Sequence, residues 1–380
     1  MYSGKQVIKA GETLLTPNLE NKNPQLFSEC MDVLSFWRFT HENALAAAFE
    51  SLVKATLPHD KQAIFAKRLK RYPSIVSKLR RFENMKLKNM QDIGGCRAIV
   101  KDEKRLRKVV KELKKLPTFK FENGQYKSKD YIKKPKQDGY RGYHLIGKFG
   151  GENGQTKSIE LQIRTKMQHS WATALEIVDL FTGQALKSNI GTTEWKDFFS
   201  STSEQFALIE SIPMYSELEM STLLPSYAKK LGQSTMDIIY SNKLCQHYIT
   251  KLDIFERFAA FANSLRVIEN QLQEIDTDTG YVLISIDTFD KSLTTTMFSN
   301  DEEGNKDAEK FYIEAEKQAA SKQALIVALV SSSNVASIKD AYPNYFADST
   351  SFLEYLEVIE KIENPIKLQK VTRKKLAIEL

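Results

Sequence analysis

The sequence predicts a mixed α+β / α/β protein, and three of its features carry that expectation. Apolar residues recur at helical spacing in the N-terminal stretch and again over residues 193–273. Between them lie a short buried-strand run and a hairpin of alternating residues. After residue 273 the pattern becomes strand, strand, helix, strand, short helix and helix, the grammar of a compact α/β unit of about 90 residues.

Residues 1–24 show little period and read as an arm. Residues 25–56, with Leu26, Cys30, Val33, Leu34 and Trp37 in helical register, read as helix until Pro58-His59-Asp60 breaks the pattern. Pro73 suits a first helical turn, where its missing N–H costs nothing, and that helix is expected to run to about Lys86. Cys96-Arg97-Ala98-Ile99-Val100 reads as a buried strand. Asp102 to Leu116 is a basic amphipathic helix with Leu106, Val109, Val110 and Leu113 inward. Residues 140–149 and 156–164 form a hairpin around a glycine-rich turn, followed by a helix from Lys166 to Leu180. Residues 193–273 read as mostly helical, with breaks near Pro213 and Pro225. Strands follow at Tyr281–Ile286, Lys291–Phe298 and Ala324–Val330, and helices at Glu309–Gln323, Val335–Lys339 and Thr350–Ile362. The expected layout is a helical region 1–57, a central domain 58–190, a helical extension 191–273, an α/β module 274–365 and a basic tail 366–380.

With 380 residues and 42% hydrophobic content, the chain has room for a large core in two domains. Three cysteines, Cys30, Cys96 and Cys245, have no metal spacing and suit a reduced cytoplasm. No apolar run approaches the ~20 residues a membrane helix needs. Neither a membrane nor a DNA partner is expected. The net charge of +7 is unevenly spread. Residues 1–265 carry 42 Lys/Arg against 28 Asp/Glu (+14), residues 266–365 carry 8 against 19 (−11), and the tail 5 against 1 (+4). A basic module facing a polyanion, with an acidic module covering it, fits this split; so do two domains that never touch.

The chemistry concentrates in residues 68–165. Lys70, Ser74 and Lys78 lie four apart, on one helical stripe, and Arg68 and Lys70 stand just ahead of a helix N-terminus, which favours phosphate. Such a run suits a triphosphate, or is a solvated basic face. Asp92 and Glu160 are isolated carboxylates at strand edges. They suit Mg²⁺ held by one or two protein ligands with phosphate oxygens and water, or simple salt bridges. Glu160 is also placed to accept the proton of an attacking hydroxyl. Tyr140, between Gly139 and Gly142, reads as an exposed ring on which a base stacks, with His144 four residues on. No Gly-x-x-x-x-Gly-Lys-Ser/Thr loop is present, which excludes the usual phosphate-loop NTPase.

These motifs, Arg-x-Lys-x₃-Ser-x₃-Lys from Arg68, Asp-x-x-Gly-x-Arg from Asp92, Lys-Asp-Tyr-Ile-x-x-Pro-Lys-x-x-Gly-Tyr-x-x-x-His from Lys129 and Glu-x-Gln-Ile-Arg-Thr from Glu160, stand in one order. In that order residues 64–180 resemble the synthetase domain of the RelA/SpoT family, a mixed-sheet nucleotidyltransferase-like fold with flanking helices. The resemblance implies transfer of the β,γ-pyrophosphate of ATP to a ribose 3′-OH. It implies that Arg68, Lys70, Ser74 and Lys78 hold ATP phosphates with support from Arg97. Asp92 and Glu160 would hold Mg²⁺, and Tyr140, Lys129, Lys136 and His144 would shape the acceptor side. Asp138 departs from the family's usual Asn on the guanine side. His59-Asp60 is similar to the family's hydrolase motif, but fewer than 60 residues precede it, so it reads as coincidence. The Gln168–Glu176 helix and Ala341-Tyr342-Pro343-Asn344-Tyr345-Phe346 resemble the fused, CapRel-like toxic branch. That implies tRNA as acceptor, with GDP or GTP as the alternative. It also implies restraint by the C-terminal module through Tyr342 and Tyr345, and a phage protein as trigger. A catalytically weak tRNA- or ribosome-binding regulator is the competing class. The basic helix 101–115 with Lys133 and Lys134 would meet tRNA phosphates. Ordinary packing of a proline-containing loop is the other reading of the two tyrosines.

Overall fold

The computed structural model describes residues 2–121, 123–150, 155–188, 190–211, 229, 232–264, 266–267, 279–321, 324–331 and 336–360. Pro213, Pro225, residues 151–154 of the hairpin turn and the tail 366–380 fall outside them.

The N-terminus corrects the expectation of an arm. Helix α1 (Gly4–Thr13) starts on a capping box in which Ser3 and Gln6 satisfy each other's backbone N–H groups. Its three inward residues Val7, Ala10 and Leu14 are too few to register as a period in sequence, yet they are buried. After α2 (Leu19–Lys22), the expected single helix is two, α3 (Pro24–Phe39) and α4 (Glu42–Thr56). Thr40 Oγ1 donates to the Trp37 carbonyl at 2.7 Å, capping the end of α3.

Strand β1 (Ile64–Leu69) is not among the strands that the sequence predicts. Its apolar residues are split between two covered faces, so no alternation shows. Then come α5 (Tyr72–Arg81), which stops short of Lys86, β2 (Gly94–Val100) and α6 (Glu103–Leu113). Leu106, Val109, Val110 and Leu113 of α6 are all buried, as their spacing required. The edge strand β3 (Lys127–Asp130) precedes the hairpin β4 (Tyr143–Gly150) and β5 (Thr156–Thr165). Helix α7 (Lys166–Thr182) has a Thr165/Gln168 capping box at its start and ends at Gly183, whose φ of +65° is left-handed. Helices α8 (Thr193–Ser211), α9 (Thr235–Lys251) and α10 (Ile254–Ser264) follow. The remaining elements are β6 (Arg266–Val267), β7 (Thr279–Asp287), β8 (Ser292–Ser299), α11 (Glu302–Ser321), β9 (Leu325–Ser331), α12 (Ala336–Ala341), a 3₁₀ turn at Pro343–Phe346 and α13 (Thr350–Glu360).

The fold is mixed α+β, built on one nine-stranded sheet of order β3-β4-β5-β2-β1-β9-β7-β8-β6. The pairs β2–β5 and β6–β8 are parallel and the others antiparallel. The C-terminal strands therefore extend the same sheet, joined where β9 pairs with Lys67 and Arg68 of β1. Helix α13 does not stay with those strands: Phe352, Leu356 and Ile359 enter the core formed by α7 to α10.

Strand alternation sorts β1 to β5 into two faces. Phe65, Leu69, Cys96, Ala98, Val100, Leu145, Leu161 and Ile163 pack under α4 and α6. The opposite face carries the polar residues. The three cysteines are free and buried. Among the described residues, no helix is long and apolar enough to cross a membrane.

Candidate active site

The sheet register assembles the site. Arg68 on β1 lies opposite Gly95 on β2, which lies opposite Glu160 on β5. The neighbouring row runs Arg97, Gln162, His144 and Lys129 across β2, β5, β4 and β3. Side chains two apart on a strand share a face, so four motifs from separate parts of the chain converge on one surface. Gly95 leaves the floor between Arg68 and Glu160 open, since a Cβ there would meet only the Glu160 carbonyl at 3.7 Å.

The end of this surface expected to take the acceptor is a hydrogen-bond network. His144 Nδ1 meets Glu160 Oε1 at 2.9 Å, and His144 Nε2 meets the Tyr140 hydroxyl at 2.6 Å. Gln162 donates to Glu160 Oε2 at 2.8 Å, and Arg164 donates to the Tyr140 hydroxyl at 3.2 Å and to Gln162. Burial pushes the Glu160 carboxyl up, but His144, Gln162 and Lys70 outweigh it and hold it down at about 2. Glu160 is thus ionised.

Tyr140 corrects the expectation of an exposed ring. It is 8% exposed, because α8 clamps its loop: Ser203 donates to the Gly139 carbonyl at 2.5 Å, and Arg141 donates to Ser203. Gly139 has φ +91°, and a Cβ there would come within 3.0–3.2 Å of Ser203, Ser200 and Trp171, so a side chain at this position is strained and crowded. Lys136 lies over the Tyr131 and Tyr140 rings at 4.9 and 4.5 Å. Lys129, Lys133 and Lys134 are exposed along this edge.

At the donor end, Lys70 follows β1, and Ser74 and Lys78 lie on α5. Asp92 sits between Lys70 at 3.0 Å and Lys78 at 2.8 Å. The salt-bridge reading of Asp92 is therefore realised alongside the metal reading. Each Asp92 oxygen faces one of these lysines, and both Asp92 and Glu160 offer hard carboxylate oxygens. That donor set fits Mg²⁺ completed by phosphate oxygens and water.

The arginines of the donor end are met by a segment more than 240 residues away. Arg68 donates to the Tyr345 hydroxyl at 3.3 Å, and Arg97 donates to the Ala341 carbonyl. The Arg97 guanidinium stands 5.4 Å from the Tyr342 ring, and Arg71 5.9 Å from that of Tyr345. The two rings stack on each other at 6.1 Å, and the Tyr342 hydroxyl donates to the Lys67 carbonyl at 2.8 Å. Both tyrosines are 2% exposed. Burial and the neighbouring Arg164 push Arg97 down to about 10. For Arg68 burial opposes the charge, but Tyr345 and Glu176 outweigh it and raise its pKa.

Gln162, Arg164, Arg71, His169 and Glu176 also face this site, and sequence patterns assign them no role. The first two are within reach of such patterns, since Glu160, Gln162 and Arg164 alternate on one strand and must share its face. Nothing local in the sequence marks Arg71, and His169 and Glu176 depend on how α7 lies over the sheet.

Residues 67–177 match the region found in RelA / SpoT proteins. Solved structures are similar over just under half of the chain. Small alarmone synthetase 1 from Bacillus subtilis, bound to its product pppGpp, is 23% identical over 46% of this chain and 92% of its own, with a TM-score of 0.39. Small alarmone synthetase 2 from Bacillus subtilis is 25% identical over 46% and 91%, with a TM-score of 0.38. A GTP pyrophosphokinase family protein from Streptococcus pneumoniae is 25% identical over 45% and 86%, with a TM-score of 0.36. No curated protein matches the chain. The chain thus carries a region of the kind found in RelA / SpoT proteins.

Proposed function

We propose that the chain moves the β,γ-pyrophosphate of ATP to the 3′-OH of the terminal adenosine of tRNA, and that its C-terminal module restrains this activity. The observation that carries the transfer reaction is the convergence of Arg68, Arg97, Glu160, Gln162 and His144 on one sheet face. Glu160 takes the proton of the acceptor hydroxyl, whose oxygen bonds to the β-phosphorus as the bond to the α-phosphate oxygen breaks; AMP leaves. His144 and Gln162 fix the carboxylate for that task. Lys70, Ser74 and Lys78 hold the phosphates, with Lys70 and Lys78 turning from Asp92 to the ligand. Mg²⁺, held by Asp92 and Glu160, would neutralise phosphate charge.

A polyanionic acceptor is supported by Lys104, Lys108 and Lys111, all exposed and spaced to share one stripe of α6, and by exposed Lys133 and Lys134. The restraint is supported by Tyr342 and Tyr345 lying on the donor-side arginines. A tethered segment acts at millimolar effective concentration, so weak docking suffices. A protein that binds the open form better releases it, and the resemblance to the fused toxic branch makes a phage protein the expected trigger and arrest of translation the outcome.

A second reading, GDP or GTP as acceptor, is freed of one objection by a contact. Asp138 accepts the Tyr140 backbone N–H at 2.9 Å, a turn bond that explains the residue without reference to a base. It therefore does not count against guanine. The test is incubation with γ-labelled ATP, bulk tRNA, GDP and GTP. Label on tRNA that falls steeply with salt supports the first reading. Labelled guanine nucleotide with unlabelled tRNA replaces it by the second.

A further inference from the structure

His169 stands in the first turn of α7, 7% exposed, and neither of its ring nitrogens makes a full hydrogen bond among the described residues. Arg97 Nε and Arg164 Nη1, whose charges both act on His169, share this condition. Buried polar atoms in native proteins are nearly always paired. Three incompletely paired side chains close enough for their charges to act on one another point to a partner they share.

The segment Asp340–Tyr342 lies against His169 and Arg97. The Asp340 backbone faces the His169 ring and favours its protonated form, as a carbonyl oxygen does. The Ala341 carbonyl accepts from Arg97, and the Tyr342 ring lies against the same guanidinium. The segment therefore offers a flat ring and two acceptor oxygens beside it. A purine base offers the same: a π face for a guanidinium and ring-nitrogen acceptors along its edge. Burial and the charges of Arg97 and Arg164 keep His169 neutral. A neutral imidazole has no charge to attract phosphate, but supplies one N–H donor and one acceptor, which suits the edge of a base.

We propose that His169 is a specificity-determining residue that hydrogen-bonds the base edge of the donor nucleotide. This rests on the reading that the Tyr342–Tyr345 segment stands in the donor's place. The test uses the full chain carrying Tyr342→Ala and Tyr345→Ala, with and without His169→Leu. Transfer from ATP is compared with transfer from the triphosphates of unsubstituted purine riboside, N6-methyladenosine and 7-deazaadenosine. A neutral hydrogen bond of 0.5–1.5 kcal/mol corresponds to about 2- to 13-fold. His169→Leu is expected to raise KM for ATP within that range, leave kcat within about twofold, and erase the preference for ATP over at least one edge-altered analogue. His169→Asn, which keeps a donor and an acceptor, is expected to restore part of that preference. Unchanged preferences across all the analogues overturn the proposal, as does a loss confined to kcat. If His169→Leu does not fold, His169→Asn decides it: altered preferences support the assignment and unaltered ones overturn it. Failure of the tyrosine-to-alanine changes to tighten ATP binding would overturn the plug reading instead. His169 is then tested by binding of a methylene-bridged ATP analogue to the unaltered full chain and its His169→Leu variant, where equal affinity overturns the assignment.

Discussion

The two ends of the polar sheet face are built differently. At the end proposed for the acceptor, Tyr140, His144, Glu160, Gln162 and Arg164 hydrogen-bond one another, and all five come from a stretch of 25 residues. At the donor end Arg68 and Arg97 find no such local partners and are met by Ala341, Tyr342 and Tyr345. The first end is assembled by a single hairpin and its loop. The second depends on whatever lies over it, and is therefore the end that a regulatory segment can control. A cluster of guanidinium groups needs an anion, a π face or a carbonyl. The C-terminal module supplies the last two.

The sharpest test of that contrast lies in the carboxylates. Glu160→Gln and Asp92→Asn are each expected to lower transfer by at least ~10²-fold with the far-UV spectrum and melting temperature retained. Near-full turnover in either variant removes that carboxylate from the mechanism. Next in size, replacing both Tyr342 and Tyr345 by alanine is expected to raise transfer about tenfold or more, equivalent to about 1.4 kcal/mol of closure. The same change should make the chain more toxic to a host, and adding Glu160→Gln should make it harmless. Equal activity before and after the double substitution would show that the tyrosines only pack.

A smaller effect is expected from Lys104, Lys108 and Lys111. If tRNA is the acceptor, each alanine substitution should lower the salt dependence of log KM for tRNA by up to about one unit of slope, leaving KM for ATP unchanged. The smallest concerns pH. Glu160 is held at about 2 against burial by His144 first and Gln162 next. A carboxyl depressed in the folded state contributes stability that is present above its unfolded value and lost as pH falls toward the folded one. His144→Ala should therefore move the acid limb of the pH–rate profile upward, by about one unit for the loss of one charged or hydrogen-bonded partner. An unmoved limb would mean that His144 does not tune Glu160.

Much of the acceptor end is legible in the sequence. The hairpin alternates with period two, and that period alone places Glu160 on a strand. Helix α6 is legible down to its four inward residues, because a strong apolar stripe admits one orientation. Tyr140 departs from its expected exposure for a physical reason. Two flanking glycines signal an open loop, but the clamp that closes it comes from Ser203 on α8, about sixty residues later. Strand β1 escapes the pattern because it is covered on both sides and carries Lys67 and Arg68 in its middle.

The sequence by itself determined the local elements, the order of the four motifs and the types of group available for phosphate and proton chemistry. Those follow from side-chain spacing and backbone preference, which act over a few residues. Only the tertiary structure decided that the C-terminal strands continue the synthetase sheet through β1 and β9 and that the Tyr342–Tyr345 segment lies on Arg68 and Arg97. It alone placed His169 beneath Asp340. Such contacts join residues that are far apart along the chain. They are fixed by which buried surfaces and polar groups satisfy each other once packed, a condition that no local pattern in the sequence records.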